Sequence, residues 1–278
     1  VTRPLGRVLV VAGSDSGGGA GIQADLRTIA RLGGYGMTAV TALTVQDTMG
    51  VSAVHLVPPD FVARQMRSAL ADLGADVIKI GMLANAEIVE AVAEVLESDL
   101  AAGIPVVLDP VMLSKHGVAL LDGAAIDALK RRLLPRAYLV TPNIPEAEAL
   151  TGLTALDAVS MGLAADALLT MGAHNVLVKG GHLAGDSLVD LLVGRDGAAE
   201  FRRPRIMSQH THGTGCTLSS AIATALAQGE TLTHAAARGV AYIEAAIRDA
   251  PGFGKGNGPL GLGPVSITEQ PAAEPDAS

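Results

Sequence analysis

Tryptophan is absent from the 278 residues, and Phe and Tyr number only three each. The core must therefore be built from Val, Leu, Ile, Ala and Met, as suits helices packed on a parallel sheet. A single cysteine excludes an internal disulfide framework. No run of about 18 apolar residues stands anywhere, and the first residues lack a signal-peptide core, so a cytoplasmic protein without a membrane partner is expected. Basic residues are in deficit: 20 Lys and Arg against 28 Asp and Glu give a net charge of −8. That balance argues against nucleic acid as a partner. Seven histidines and one cysteine show no zinc-type spacing, and His210-x-His212 alone is a weak metal pair. What is abundant is aliphatic residues and glycine: 49% of the chain is hydrophobic, and 33 residues are Gly. A chain of this length and a mean hydropathy of +0.39 can bury a large core in one α/β domain.

Arg7 to Ala12 is a short β-branched run and is predicted as a buried first strand. Residues 13–21, Gly-Ser-Asp-Ser-Gly-Gly-Gly-Ala-Gly, then open a helix pattern at Ile22, Leu26, Ile29 and Ala30. The spacing is neither a Walker A loop nor a dinucleotide fingerprint. It is still a backbone-rich turn, which either aims N–H groups beyond the strand's carboxyl end or merely links strand to helix. Further strands are predicted over 37–45, 51–57, 76–81, 105–108, 137–141 and 175–179. Helices are predicted from Pro59 through Leu73, through Ile88, Val92 and Leu96, and over 122–134, 156–171, 214–228 and 232–249. Strands 188–193 and 199–203, joined through Gly194-Arg195-Asp196-Gly197, read as an edge hairpin. This alternation implies a mostly parallel central sheet with helices on both faces and a site at the strands' carboxyl ends. Residues 1–265 are expected to form one domain, and 266–278 a disordered tail.

The polar residues gather at those strand ends. Two glycine turns, Asp109, Asn143-x-x-Glu146 and Lys179-Gly-Gly are the parts needed to move a phosphoryl group, a task that is mostly charge management. Each has a plainer reading: Asp109 as a turn former, Asn143 with Glu146 as a helix start, Lys179 as a lysine snorkelling to the surface. The stretch from His210 to Cys216 runs into the helix pattern Leu218, Ile222, Ala225, Leu226, so its first-turn N–H groups and dipole should attract an anion. Cys216 stands at that helix start, where the dipole should lower its pKa. A free cysteine can also be a small buried hydrophobe. As a nucleophile, with His212 as its base, it would imply a hydrolase or acyltransferase and leave the other motifs unused, so a role as base is preferred.

Seven ordered blocks carry a resemblance. Residues 12–25 (AGSDSGGGAGIQAD), 41–48 (TALTVQDT), 79–83 (KIGML), 109–112 (DPVM), 141–147 (TPNIPEA), 178–182 (VKGGH) and 212–217 (HGTGCT) strongly resemble the hydroxymethylpyrimidine/phosphomethylpyrimidine kinases of thiamine biosynthesis, and Phe253 to Pro259 extends the match. The resemblance implies a ribokinase-like three-layer α/β/α fold and two successive phosphorylations dependent on ATP and Mg²⁺. The first acts on 4-amino-5-hydroxymethyl-2-methylpyrimidine and the second on its monophosphate. It implies that Gln46 reads the pyrimidine edge while Gly13, Ala20, Met82 and Val111 shape the pocket. Asp109 and Glu146 would serve Mg²⁺ through water, Asn143, Glu146, Lys179 and His212 the nucleotide phosphates, and Gly213, Thr214 and Gly215 the anion hole. Cys216 would stand where sugar kinases of this fold have a catalytic aspartate. The family's habits imply a homodimer, and the absence of a second thiamine-pathway domain implies a stand-alone kinase. A vitamin B6 kinase of the same fold is the nearest rival, and a non-catalytic pyrimidine or nucleotide sensor a more distant one.

Overall fold

The computed structural model describes residues 5–113, 117, 120–154, 157–182, 187–195 and 197–261. The expected tail, 266–278, lies outside them. Nine strands and eight α-helices follow in the order β1 (Arg7–Asp15), α1 (Gly21–Arg31), β2 (Tyr35–Asp47), β3 (Gly50–Leu56), α2 (Pro59–Asp72), β4 (Val77–Ile80), α3 (Ala86–Leu96), β5 (Val106–Leu108), α4 (Gly123–Ala128), β6 (Leu139–Val140), α5 (Ile144–Thr151), α6 (Ala158–Thr170), β7 (Asn175–Lys179), β8 (Ser187–Gly194), β9 (Gly197–Pro204), α7 (Thr214–Ala227) and α8 (Leu232–Arg248).

The strands form one sheet in the order β3-β2-β1-β4-β5-β6-β7-β8-β9. The six strands from β2 through β7 in that order run parallel, while β3 at one edge and the hairpin β8–β9 at the other are antiparallel. Alternate residues of β1 feed opposite cores: Leu9 and Val11 face the cluster that includes Val62, Met66, Val89 and Val92, and Val8 and Val10 face the cluster that includes Leu218, Ile222 and Ile243. This is the expected three-layer arrangement. Among the described residues no helix is long and apolar enough to cross a membrane.

Because β2 and β4 flank β1, the chain reverses direction across the sheet at β1, and the carboxyl ends of β1, β2 and β4 open on a common crevice. β1 runs three residues further than expected because Ser14 and Asp15 pair with Leu43 and Thr44 after a register shift. The segment expected as one helix from Asp122 starts as predicted, with the Asp122 carboxylate accepting from Ala125 N at 2.8 Å. It then widens into a π turn over Leu129–Leu133 and ends in a 3₁₀ turn over Leu134–Arg136. Pro135 supplies no N–H and crowds the carbonyl four residues earlier, which accounts for the irregular end.

Candidate active site

The carboxyl edge of the sheet carries, from left to right, Gln46 near the end of β2, Asp15 at the end of β1, Met82 beyond β4, Asp109 beyond β5, Asn143 beyond β6 and Lys179 at the end of β7. Helix α7 starts beneath this row. The two glycine turns interlock: a Cβ on Gly213, whose φ is +83°, would fall 2.0 Å from the Gly19 carbonyl oxygen, and one on Gly21, at φ +56°, 2.4 Å from that of Gly13. Only glycine lets the backbones approach so closely. No side chain caps α7; the Thr214 N–H donates to the Thr211 carbonyl at 3.4 Å, and the other first-turn N–H groups have no partner within the helix.

Lys179 Nζ lies 2.9 Å from Asp109 Oδ1 and 3.8 Å from Glu146 Oε2. A Cβ on Gly215 would be 3.2 Å from the same ammonium and 3.5 Å from Asp109 Oδ2, which puts the ion cluster against the first turn of α7. Thr141 donates to Asp109 Oδ1 at 3.2 Å. Burial opposes the charge on Asp109, but Lys179 and Lys79 outweigh it and hold the carboxyl below its usual range. Burial opposes the Lys179 charge too, and Asp109 with Glu146 overcomes it, keeping the ammonium protonated.

Asn143 and Glu146 form a capping box at the start of α5: the Asn143 side chain accepts from Glu146 N at 2.9 Å, and Glu146 Oε2 accepts from Asn143 N at 2.8 Å. The plainer reading of this pair is thus present, and the box aims the Glu146 carboxylate at Lys179. Burial pushes the Glu146 carboxyl up to about 7, with Lys179 opposing and Asp109 adding to the rise. A carboxyl that binds its proton more tightly folded than unfolded contributes fully below the ordinary 4.5, and that contribution is lost as pH rises through about 7. Thermal melts of the ligand-free protein should therefore show stability falling between pH 5 and 7 in wild type and a flatter curve in Glu146→Gln. Parallel curves would contradict the assignment.

Cys216 departs from expectation. Its Sγ receives the Gly21 N–H and so sits where the starts of α1 and α7 converge, yet burial pushes the thiol up to about 12, with Lys79 opposing and Asp25 and Asp109 adding to the rise. Loss of water and two nearby carboxylates outweigh the helix dipoles, so the thiol is protonated in the ligand-free site.

His212 is also placed otherwise than at the phosphate cluster. Its Nε2 lies 3.0 Å from Asp15 Oδ2 and 3.0 Å from Gln46 Nε2, against the turn that follows β1. Asp15 accepts from Gly17 N and Ala20 N, each at 2.8 Å, and so ties down the glycine loop. Burial opposes the Asp15 charge, but His212 and these two N–H groups keep its pKa low. Gly13 faces Met82, whose Cε would be 3.3 Å from a Cβ there. Val111 follows Asp109 and donates its N–H to the Asp109 carbonyl at 2.8 Å. A cavity of about 230 Å³ adjoins Met82, its lining mostly apolar, with Val54, Leu56, Ala84, Leu121 and the charged Asp122 among its residues; Gly13, Ala20, Gln46 and Val111 do not line it.

Sequence reasoning missed a buried ionic triad under the site. Lys79 Nζ contacts both Asp25 carboxylate oxygens at 3.0 and 3.1 Å, and Ser220 donates to Asp25 Oδ1 at 2.7 Å. Burial works against the Lys79 charge, and Asp25, with Cys216 and Asp109 beyond it, more than offsets that. Lys79 is fully buried in β4, a strand in which a lysine demands an anion. That demand was the available signal.

A model of the family described as phosphomethylpyrimidine kinase matches residues 15–261. The chain is 57% identical over 260 residues to the thiamine biosynthesis bifunctional protein ThiED of Geobacter sulfurreducens, covering 92% of this chain and 52% of that one, so it spans about half of that relative. It is 48% identical to the hydroxymethylpyrimidine/phosphomethylpyrimidine kinase of Streptomyces coelicolor, over 95% of this chain and 96% of the other. Among solved structures, phosphomethylpyrimidine kinase from Clostridium difficile is 41% identical, with a TM-score of 0.77 over 87% of this chain and 99% of that one. Pyridoxal kinase from Staphylococcus aureus, in complex with AMP-PCP and pyridoxal, is 34% identical, with a TM-score of 0.84 over 93% and 94%. Shape therefore does not separate the two groups of solved neighbours.

Proposed function

This chain belongs to the phosphomethylpyrimidine kinase family, and on that premise we propose that it is an ATP-dependent kinase of thiamine biosynthesis that phosphorylates 4-amino-5-hydroxymethyl-2-methylpyrimidine and then the resulting monophosphate. The observation that carries this reading is the meeting of Lys179 and Asp109 at the uncapped first turn of α7. A half-buried ammonium beside a helix start is a receptacle for a transferring phosphoryl group, whose charge spreads over three oxygens in a loose transition state.

In this assignment Lys179 and the turn Gly213-Thr214-Gly215 hold the phosphoryl oxygens, and Asn143 lies beside Lys179 to orient the nucleotide. Gln46 reads the ring edge, and Gly13, Ala20, Met82 and Val111 shape the pocket for the ring. Mg²⁺ would be held by Asp109 and Glu146 through water. Two carboxylates without a third protein donor suit a cation that brings water and phosphate ligands with it, and among the described residues no larger acidic or His/Cys cluster exists. When bound, it supplies charge neutralisation between phosphates. The exposed Leu43, Val45 and Met49 on and beyond β2 offer an apolar surface for a second copy, which supports the homodimer.

Cys216 faces the acceptor hydroxyl and takes its proton late in the transfer. Below a pKa near 12 the thiolate fraction rises tenfold per pH unit. The first phosphorylation should therefore accelerate with pH across the neutral range, and the second, whose acceptor is already an anion, should not. Cys216→Ala should abolish that slope and slow the first step far more than the second. Equal losses in single-turnover assays of both steps would count against the role.

An ADP-release assay run in parallel with hydroxymethylpyrimidine, its monophosphate and pyridoxal tests the whole reading. Turnover of both pyrimidines, well above that of pyridoxal, is expected. Comparable rates with pyridoxal would favour a vitamin B6 kinase, and no ADP at all a sensor.

A further inference from the structure

The contacts around Gln46 do not balance in protons. Asp15 accepts two backbone N–H groups and is an ionised acceptor, so the imidazole nitrogen 3.0 Å from its Oδ2 must carry a hydrogen and donate. That nitrogen, His212 Nε2, then has no lone pair for the Gln46 Nε2 that also lies 3.0 Å away. On the other side of the amide, Thr44 Oγ1 gives its one hydrogen to the Ser14 carbonyl at 2.9 Å, leaving lone pairs towards Gln46 Oε1 at 3.2 Å. Turning the amide by 180° removes both mismatches: the nitrogen donates to Thr44, and the oxygen joins Asp15 Oδ2 as a second acceptor of the one His212 N–H, which the two oxygens share in a three-centre bond. The surroundings hold this arrangement rigid. The edge of the His212 ring lies against Gly19, where a Cβ would fall 2.3 Å from Cδ2, and the Gln46 backbone exchanges two 2.9 Å hydrogen bonds with Ser16 Oγ.

We propose that His212, held by Asp15, is a positioning residue that locks the Gln46 amide in one orientation and thereby makes the site specific for an aminopyrimidine edge. This rests on the pyrimidine-kinase reading and deepens it. Locked in this way, Gln46 offers its remaining lone pair on the His212 side and its remaining N–H on the Thr44 side. An amino group beside an unprotonated ring nitrogen matches that pair. A 4-oxo ring, with a carbonyl beside a ring N–H, presents the reverse and leaves both groups unpaired. A freely turning amide would accept either edge, so discrimination comes from the lock rather than from the glutamine itself. His212 thus acts through Gln46 on the ring and does not bind the nucleotide.

The test compares the 4-amino substrate with its 4-oxo analogue, by turnover and by calorimetric binding, in wild type, His212→Leu, His212→Gln and Thr44→Val. Wild type should prefer the amino ring by roughly a hundredfold or more. His212→Leu should cut that ratio by at least about tenfold without changing the KM for ATP, and His212→Gln, which can still donate to Asp15, should keep most of it. If His212→Leu does not fold, Thr44→Val, which removes the other anchor of the amide, should show the same fall. An unchanged ratio in the variants, or a rise confined to the KM for ATP, overturns the lock. Binding discrimination that follows the variants as expected, with no pyrimidine turnover in wild type, would uphold the lock and sink the kinase reading instead.

Discussion

Lys179→Met should slow phosphoryl transfer by about a thousandfold, the scale seen when a preorganised charge-stabilising donor is removed. Lys179 ends β7, opposite Asp190 of β8. Its ammonium joins Asp109, Glu146 and the first turn of α7. Without it, two buried carboxylates face the incoming phosphates and lose the ammonium that bridges them. Affinity for nucleotide should fall as well, because the charge acts on the ground state in addition to the transition state. Single-turnover rates and calorimetric nucleotide binding separate the two effects. Turnover within tenfold of wild type would remove Lys179 from the mechanism. Thermal melts run alongside show whether loss of activity merely reports loss of fold.

Lys79→Met should have the largest effect on stability, about 3–5 kcal/mol, because it strands the Asp25 carboxylate in the core with only Ser220 to meet it. Lys79 and Asp25 are both fully buried, so water cannot take over. Against a total stability of about 5–15 kcal/mol, this change could leave little folded protein. Replacing both partners, as in Lys79→Met with Asp25→Leu, should recover most of the loss, since an apolar pair removes the stranded charge along with the salt bridge. Urea titrations of the three proteins give the answer, and a neutral single substitution would contradict the ion pair. The double variant also bears on function. The triad ties α1, β4 and α7 together, the elements that carry the glycine turn, Met82 and Cys216, so a stable double variant with slow turnover would show that the tie positions the site.

Most of the architecture was legible because short apolar runs and helical periodicity repeat so regularly. Asn175–Lys179 was bounded correctly as a strand, and the Asp122 cap was read from its position ahead of an apolar helix pattern. Helix α5 was expected only as the plainer reading of Asn143 with Glu146, without bounds of its own. It has eight residues, too few for a periodic signal, and its Asn-x-x-Glu box was first weighed as phosphate chemistry. Strand β6 has only two ladder residues against the five expected, although single hydrogen bonds carry on at both flanks, from Thr141 N to the Leu108 carbonyl at 2.9 Å and from His174 N to the Ala137 carbonyl at 3.0 Å.

For the site, the sequence by itself determined which groups reach the carboxyl edge, since each polar residue there follows directly from the end of a strand and topology does the rest. It also determined the two glycine turns, whose positive φ values and close approach no other residue allows. Only the tertiary structure decided which groups meet. Asp15 and His212 are 197 residues apart, and Asp25 and Ser220 are 195 apart, and no local pattern encodes either pairing. It also decided the state of Cys216. A helix start argued for a thiolate, but the electrostatic balance at the sulfur depends on how much water the packed chain removes and on which charges it brings near, and there burial and two carboxylates prevail.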